Sequence, residues 1–128
     1  AKSKNLMNRK DHFIVGRIKS IGYAFKGFWI LITTEHSIIT QLFFSILFIF
    51  AGFWFEITAI EWMMQIFGFG LLLTAEGLNT AVEEIADFIH PDHHQKIGKI
   101  KDISAGAVTF AALALICIVA IIYLPKLI

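Results

Sequence analysis

A single cysteine, Cys117, stands in the whole chain. That excludes an internal disulfide and any zinc site built on paired cysteines, and its apolar neighbours suit an inert packing residue. Net charge is equally scarce: 11 basic against 10 acidic side chains leave only +1, which gives no general affinity for nucleic acid. The chain has no G-x-x-x-x-G-K-[ST] loop and no H-R-D-type catalytic loop, so the soluble nucleotide-handling types that depend on them are excluded. Polar surface is short as well. With 57% hydrophobic residues and a mean hydropathy of +0.72 over 128 residues, the chain is too apolar for a soluble domain of this size.

What is present is three apolar segments, at about 38–55, 62–75 (with a helical pattern running on to 89) and 105–124. A spanning helix needs about 20 residues. The third segment meets this outright; the first two meet it when their polar ends sit at the headgroups. The long basic stretch before the first segment, and the lack of a small-residue cleavage site after it, argue against a cleaved signal peptide. We therefore expect an all-α, integral membrane chain forming one domain over 1–128, with a surface helix at 8–32 and spans at 35–56, 61–89 and 101–124.

Residues 1–34 carry seven basic side chains, Arg17 among them, against one acid, Asp11. Ile14, Ile18, Ile21 and Phe25 recur on one helical face, the pattern of a helix lying flat on an anionic membrane surface. The "EITAIE" loop (56–61) has acids and no Lys or Arg, whereas the 87–104 connection has Lys96, Lys99 and Lys101. The positive-inside rule then places the N-terminus and 87–104 in the cytoplasm and "EITAIE" outside. Tyr23, Trp29, Trp54, Trp62 and Tyr123 fall near the expected interfaces, where amphipathic aromatics settle. Pro91 stops the second span.

One feature does not suit lipid. In "LLLTAEGLNTAVEEIADFIHPD" (71–92), Glu76, Asn79, Thr80, Glu83 and Asp87 lie in one helical stripe, with Glu84 off to one side. Counting from Trp62, Glu76 lies roughly 21 Å along the helix, inside the cytoplasmic half of the bilayer. Glu35 opens the first span at the same end, and Lys101 with Asp102 opens the third. Unpaired charge in a membrane is expensive and marks function. The alternative for Glu76 is a structural carboxyl, protonated or paired with Lys101. Glu84 reads as an interface residue. His90, His93 and His94 with Asp92 follow Pro91 too closely for helical ligand spacing and read as a solvated loop. His12 and His36 are isolated.

Carboxylates and an amide at one depth are hard oxygen ligands of the kind Mg²⁺ accepts, usually together with substrate phosphates. A carboxylate there suits a general base, and a nearby lysine holds phosphate as a point charge. Together they suggest phosphoryl transfer. A divalent-cation transporter would use similar groups, but a permeation path needs polar residues through the full depth, and the outer halves of the spans read as almost wholly apolar. A purely structural membrane protein leaves the stripe unexplained.

"EGLNTAVEEIADFI" followed by "HHQKIGKIKDISAGAV" resembles the signature of the small prokaryotic diacylglycerol kinase family, which includes the undecaprenol kinases. The family pattern E-x-x-N-[ST]-A-x-E-x-x-x-D is matched at Glu76, Asn79, Thr80, Ala81, Glu83 and Asp87. Lys101 and Asp102 match its Lys–Asp pair, with Ile100 where Ala is usual; "GYAFKG" (22–27) and Glu35 of "TTEHS" also align. The resemblance implies a homotrimeric lipid kinase using ATP and Mg²⁺ on a membrane lipid alcohol. In it Glu76 is the general base, and Glu35 and Glu83 hold the metal. Asn79 positions substrate or phosphate. Lys101, Asp102, Arg17 and His94 serve the nucleotide and its phosphates. After Glu35, "HSIITQ" lacks the Asn and basic residue the family often shows. The outer loop, "HH", "DISAGAV" and "LPKL" look more like the undecaprenol kinase branch than the diacylglycerol kinase branch.

Overall fold

In the computed structural model, which describes residues 2–128 with side chains from residue 8 onward, the described residues are helical almost throughout. Four helices follow in order: α1 (Lys2–Thr34), α2 (His36–Trp54), α3 (Ala59–Ile89) and α4 (Gln95–Leu127). The chain divides into two compact units, one ending at Glu35 and one from His36 to Ile128.

In the first unit, α1 extends beyond the expected 8–32 at both ends. Ile14, Ile18, Ile21 and Phe25 stand exposed along one face, as their spacing requires. Arg17 lies over the Phe13 ring of the preceding turn, 5.4 Å from its centroid.

In the second unit, α3 is the spine. α4 packs against it over a long interface and α2 over a shorter one. Phe69 and Leu72 of α3 meet Ala111 and Leu115 of α4 in one core cluster, while Ile57, Ile122 and Tyr123 form another. Two glycines permit the close approaches. A Cβ on Gly68 would lie 2.9 Å from Leu115 Cδ1, and one on Gly52 would lie 2.6 Å from the Trp62 ring. The α2–α3 turn places Glu56 at φ 51°. Thr58 then caps α3: Glu61 N–H donates to Thr58 Oγ1 (3.2 Å) and Thr58 N–H to Glu61 Oε1 (3.0 Å), a capping box whose Thr alone contributes about 1 kcal/mol. Lys126 reaches back from the end of α4 to Glu61 Oε2, 2.8 Å away.

α2 and α4 are each long and apolar enough to cross a membrane. α3 has the length, 31 residues, but Gln65, Glu76 and Asn79 interrupt its apolar stretch. Large apolar side chains face outward on all three helices, among them Phe50 at 68%, Phe67 at 67% and Phe110 at 80% exposure. Such surface calls for lipid or protein cover.

Tyr123 lies buried between the helices, and its hydroxyl donates to Gln65 Oε1 at 2.5 Å. Gln65, the most deeply buried polar side chain described, donates through Nε2 to the Phe48 carbonyl (3.0 Å). A buried amide must be satisfied or it costs roughly 1–3 kcal/mol, and here both of its ends are.

Candidate active site

α3 positions the stripe, and the structure resolves it into pairs. Glu76 is half-buried and accepts a hydrogen bond at Oε1 from Gln41 Nε2 of α2, at 2.8 Å. One turn on, Asn79 Nδ2 donates to Glu83 Oε1 at 3.3 Å. Thr80 Oγ1 donates to the Glu76 carbonyl (3.1 Å), which ties the hydroxyl to the backbone of its own helix. Asp87 forms an ion pair with Lys101 of α4 at 2.5 Å. Lys101 is thus the partner of Asp87, and the partner of Glu76 is an amide. Glu84 is exposed beside the stripe.

The two amides share a feature. Gln41 Oε1 and Asn79 Oδ1 are buried side-chain oxygens without a hydrogen-bond partner among the described residues. Flipping either amide would turn its carbonyl toward a carboxylate, so the N–H groups must face the acids and the oxygens remain unmatched. An unmatched buried acceptor costs free energy in the resting protein and accepts a donor or a cation readily. Asn79 Oδ1 beside the exposed Glu83 carboxylate offers hard oxygen ligands, and this donor set fits Mg²⁺. No cluster of three or more His, Cys, Asp or Glu that would form a complete protein cage occurs among the described residues. Mg²⁺ commonly relies on only one or two carboxylates plus phosphates and water.

Asp102, though adjacent to Lys101, turns away from the ion pair. It lines a hollow with His93, Gln95, Lys96, Gly98 and Lys99. His94 caps α4: its Nδ1 accepts from Lys96 N–H at 3.0 Å, and its ring meets His90 edge-on at 5.1 Å. His90 closes the turn with a 2.8 Å contact from Nδ1 to the Asp92 carbonyl. These contacts give the histidine loop a capping and turn-forming role. Glu35 and Arg17 belong to the first unit. Glu35 follows the last turn of α1, its N–H donating to Leu31 O at 3.2 Å.

Gln41 was not among the residues singled out from the sequence. The signal was there, an amide in the apolar run 38–55, but its partner lies 35 residues away. Gln65 likewise breaks the expected apolarity of the outer halves. Its polar atoms are taken up by Tyr123 and Phe48, which favours an internal clasp over a row of open ligands.

A groove of about 790 Å³ opens between α2 and α4 over α3. Phe44, Phe48, Phe69, Leu72, Leu115 and Ile116 line much of it, and Gln41 stands at its wall. The amide that holds Glu76 therefore stands in the wall of a slot built for hydrocarbon.

Helices with lipid-grade surfaces and a cluster of acids and amides beside an apolar slot suit a membrane enzyme that acts on a lipid head. Comparison with known proteins agrees. Residues 22–123 match the family described as prokaryotic diacylglycerol kinase, and the chain belongs to that family. It is 34% identical over 125 residues, 98% of either chain, to undecaprenol kinase from Bacillus subtilis (strain 168). The protein is accordingly a membrane lipid kinase. The family match takes in every candidate site residue except Arg17.

Proposed function

We propose that this kinase transfers the γ-phosphoryl group of ATP to the primary hydroxyl of a membrane lipid alcohol, undecaprenol in preference to diacylglycerol, at the cytoplasmic face of a bacterial cytoplasmic membrane. The observation that carries the reading is the Glu76 carboxylate, held by Gln41 at the edge of the apolar groove. The lipid hydroxyl gives its proton to Glu76 as its oxygen attacks the γ-phosphorus. The bond to the ADP oxygen breaks, and the proton leaves Glu76 for water. Glu83, with Asn79 beside it, would hold Mg²⁺, with Glu35 as the other carboxylate ligand; when bound, the ion neutralises charge on the phosphates. Lys101, Asp102, Arg17 and His94 serve the nucleotide, and Asn79 also orients the acceptor.

The preference for a polyprenol rests on what the groove can donate. Its donors are few: one of the two Gln41 amide hydrogens is spent on Glu76, and the Tyr123 hydroxyl is spent on Gln65. What remains unmatched is an acceptor, Gln41 Oε1. An unmatched acceptor does nothing for the ester carbonyls of a diacylglycerol, which a polyprenol lacks. The kinship with an undecaprenol kinase points the same way. In identical mixed micelles, kcat/KM for undecaprenol should exceed that for a matched diacylglycerol by about tenfold. A clear preference for diacylglycerol would sink the polyprenol assignment and leave the kinase reading intact.

The working form is a homotrimer in which α2, α3 and α4 all span the bilayer and α1 lies on its inner surface. The exposed apolar faces support this arrangement. The α2–α3 turn then faces outward and the N-terminus faces the cytoplasm. In a Cys117→Ala background, a cysteine at the exposed Ala59 should react with a membrane-impermeant maleimide in intact cells, and one at Asp92 should not. The opposite labelling pattern would reverse the topology.

A further inference from the structure

We infer that Gln41 is a positioning residue for the reaction: its side-chain N–H fixes the Glu76 carboxylate so that Oε2 faces the lipid hydroxyl. The inference rests on the reading of Glu76 as the base. Three observations lead to it. The Gln41 Nε2–Glu76 Oε1 contact, 2.8 Å, joins two helices and is the one hydrogen bond to the Glu76 carboxylate among the described residues. Thr80, one turn along the same helix, is turned to the Glu76 main-chain carbonyl instead. Finally, Gln41 keeps a buried oxygen unpartnered in order to make this contact.

That last point separates a positioning role from a merely structural one. If Gln41 served only packing, an apolar side chain on the groove wall would fill the place without stranding an acceptor. Its retention is explained by what the amide does to Glu76. A glutamate in a helix has three side-chain torsions, and a free carboxylate beside an apolar slot samples orientations in which no oxygen meets the substrate. Tying Oε1 leaves Oε2 as the proton acceptor on a fixed line. Orientation of this kind contributes to the chemical step and little to ground-state binding. Where Gln41 Oε1 also meets the incoming hydroxyl, it does so as an acceptor competing with Glu76, so its removal should not weaken lipid binding strongly.

The test is full steady-state kinetics on Gln41→Leu and Gln41→Met in micelles, with lipid and ATP varied separately. Leu removes the donor at similar volume. Met keeps the reach of the side chain without the N–H and guards against a packing artefact of the first variant. We expect both to lose at least about fivefold in kcat with the lipid KM within about twofold of wild type. A kcat loss below fivefold in either variant overturns the proposal, as does an effect confined to the lipid KM, which would make Gln41 a substrate contact only. The double variant with Glu76→Gln supplies the second readout. Once the base is gone, removing its orienting partner should change the residual rate less than twofold, because the two act as a unit. An additive loss would show that Gln41 does not act through Glu76. Should Glu76→Gln itself keep its activity, the base reading fails first. A crippled Glu76→Gln beside an unaffected Gln41→Leu instead refutes the positioning role alone.

Discussion

Replacing Glu76 by Gln is expected to lower kcat by at least about a hundredfold, in the range that general-base catalysis contributes, while leaving the protein folded and able to bind ATP. The structure makes this substitution unusually clean. Gln at this position keeps the length of the side chain and retains a carbonyl oxygen that can accept from Gln41 Nε2, as Glu76 Oε1 now does at 2.8 Å. The helix-to-helix contact therefore survives, and so does the Thr80 bond to the backbone carbonyl. What disappears is the capacity to take a proton. The loss should fall on kcat, with the KM for ATP within about twofold, since an interaction made only in the transition state has been removed. Thermal denaturation in detergent should show an unchanged transition. A variant that keeps more than a tenth of wild-type kcat would remove Glu76 from the role of base.

Much of this protein is legible from local sequence rules. Pro91 marks the end of α3, and the 100° spacing of Glu76, Asn79, Glu83 and Asp87 puts them on one face without any knowledge of the neighbours. The Asn79–Glu83 contact follows from that spacing, for it lies within one turn. What periodicity cannot supply is the identity of partners across helices. Gln41 with Glu76, Tyr123 with Gln65 and Lys126 with Glu61 join positions 35, 58 and 65 residues apart. Each depends on how far the helices slide and turn against one another, which the close packing at Gly52 and Gly68 sets. Tyr123 illustrates the limit. At the end of an apolar run it looks like an interfacial aromatic, and only the buried amide facing it across the α3–α4 contact turns it inward. The ends of α1 lie beyond the reach of the spacing rule, because the residues outside 8–32 carry no apolar periodicity of their own. Lys101 and Asp102 read as one motif, yet adjacent residues on a helix point about 100° apart, and the structure sends one to Asp87 and the other to a separate hollow.

The Mg²⁺ requirement provides the other large effect. Glu83→Gln should raise the Mg²⁺ concentration for half-maximal activity by at least about thirtyfold, and a Glu35→Gln change should act in the same direction. The argument for Glu83 begins with its surroundings. Its carboxylate is exposed, one oxygen accepts from Asn79 Nδ2 at 3.3 Å, and the Asn79 oxygen next to it is buried without a partner. An amide that holds a carboxylate with its N–H and presents its own oxygen alongside makes two hard ligands from one contact. Changing Glu83 to Gln keeps the shape and an acceptor for Asn79 but removes the negative charge, and charge is what draws a strongly hydrated dication out of water. The defect should therefore be answered by more Mg²⁺: kcat at saturating metal recovers to within a few-fold of wild type, while the titration curve moves to higher concentration. Glu84→Gln, one residue on but off the stripe, is the matched control and should leave the curve in place. A fall in rate that no amount of Mg²⁺ repairs, with an unshifted curve, would show that Glu83 holds no metal and would return it to the role of an anchor for Asn79.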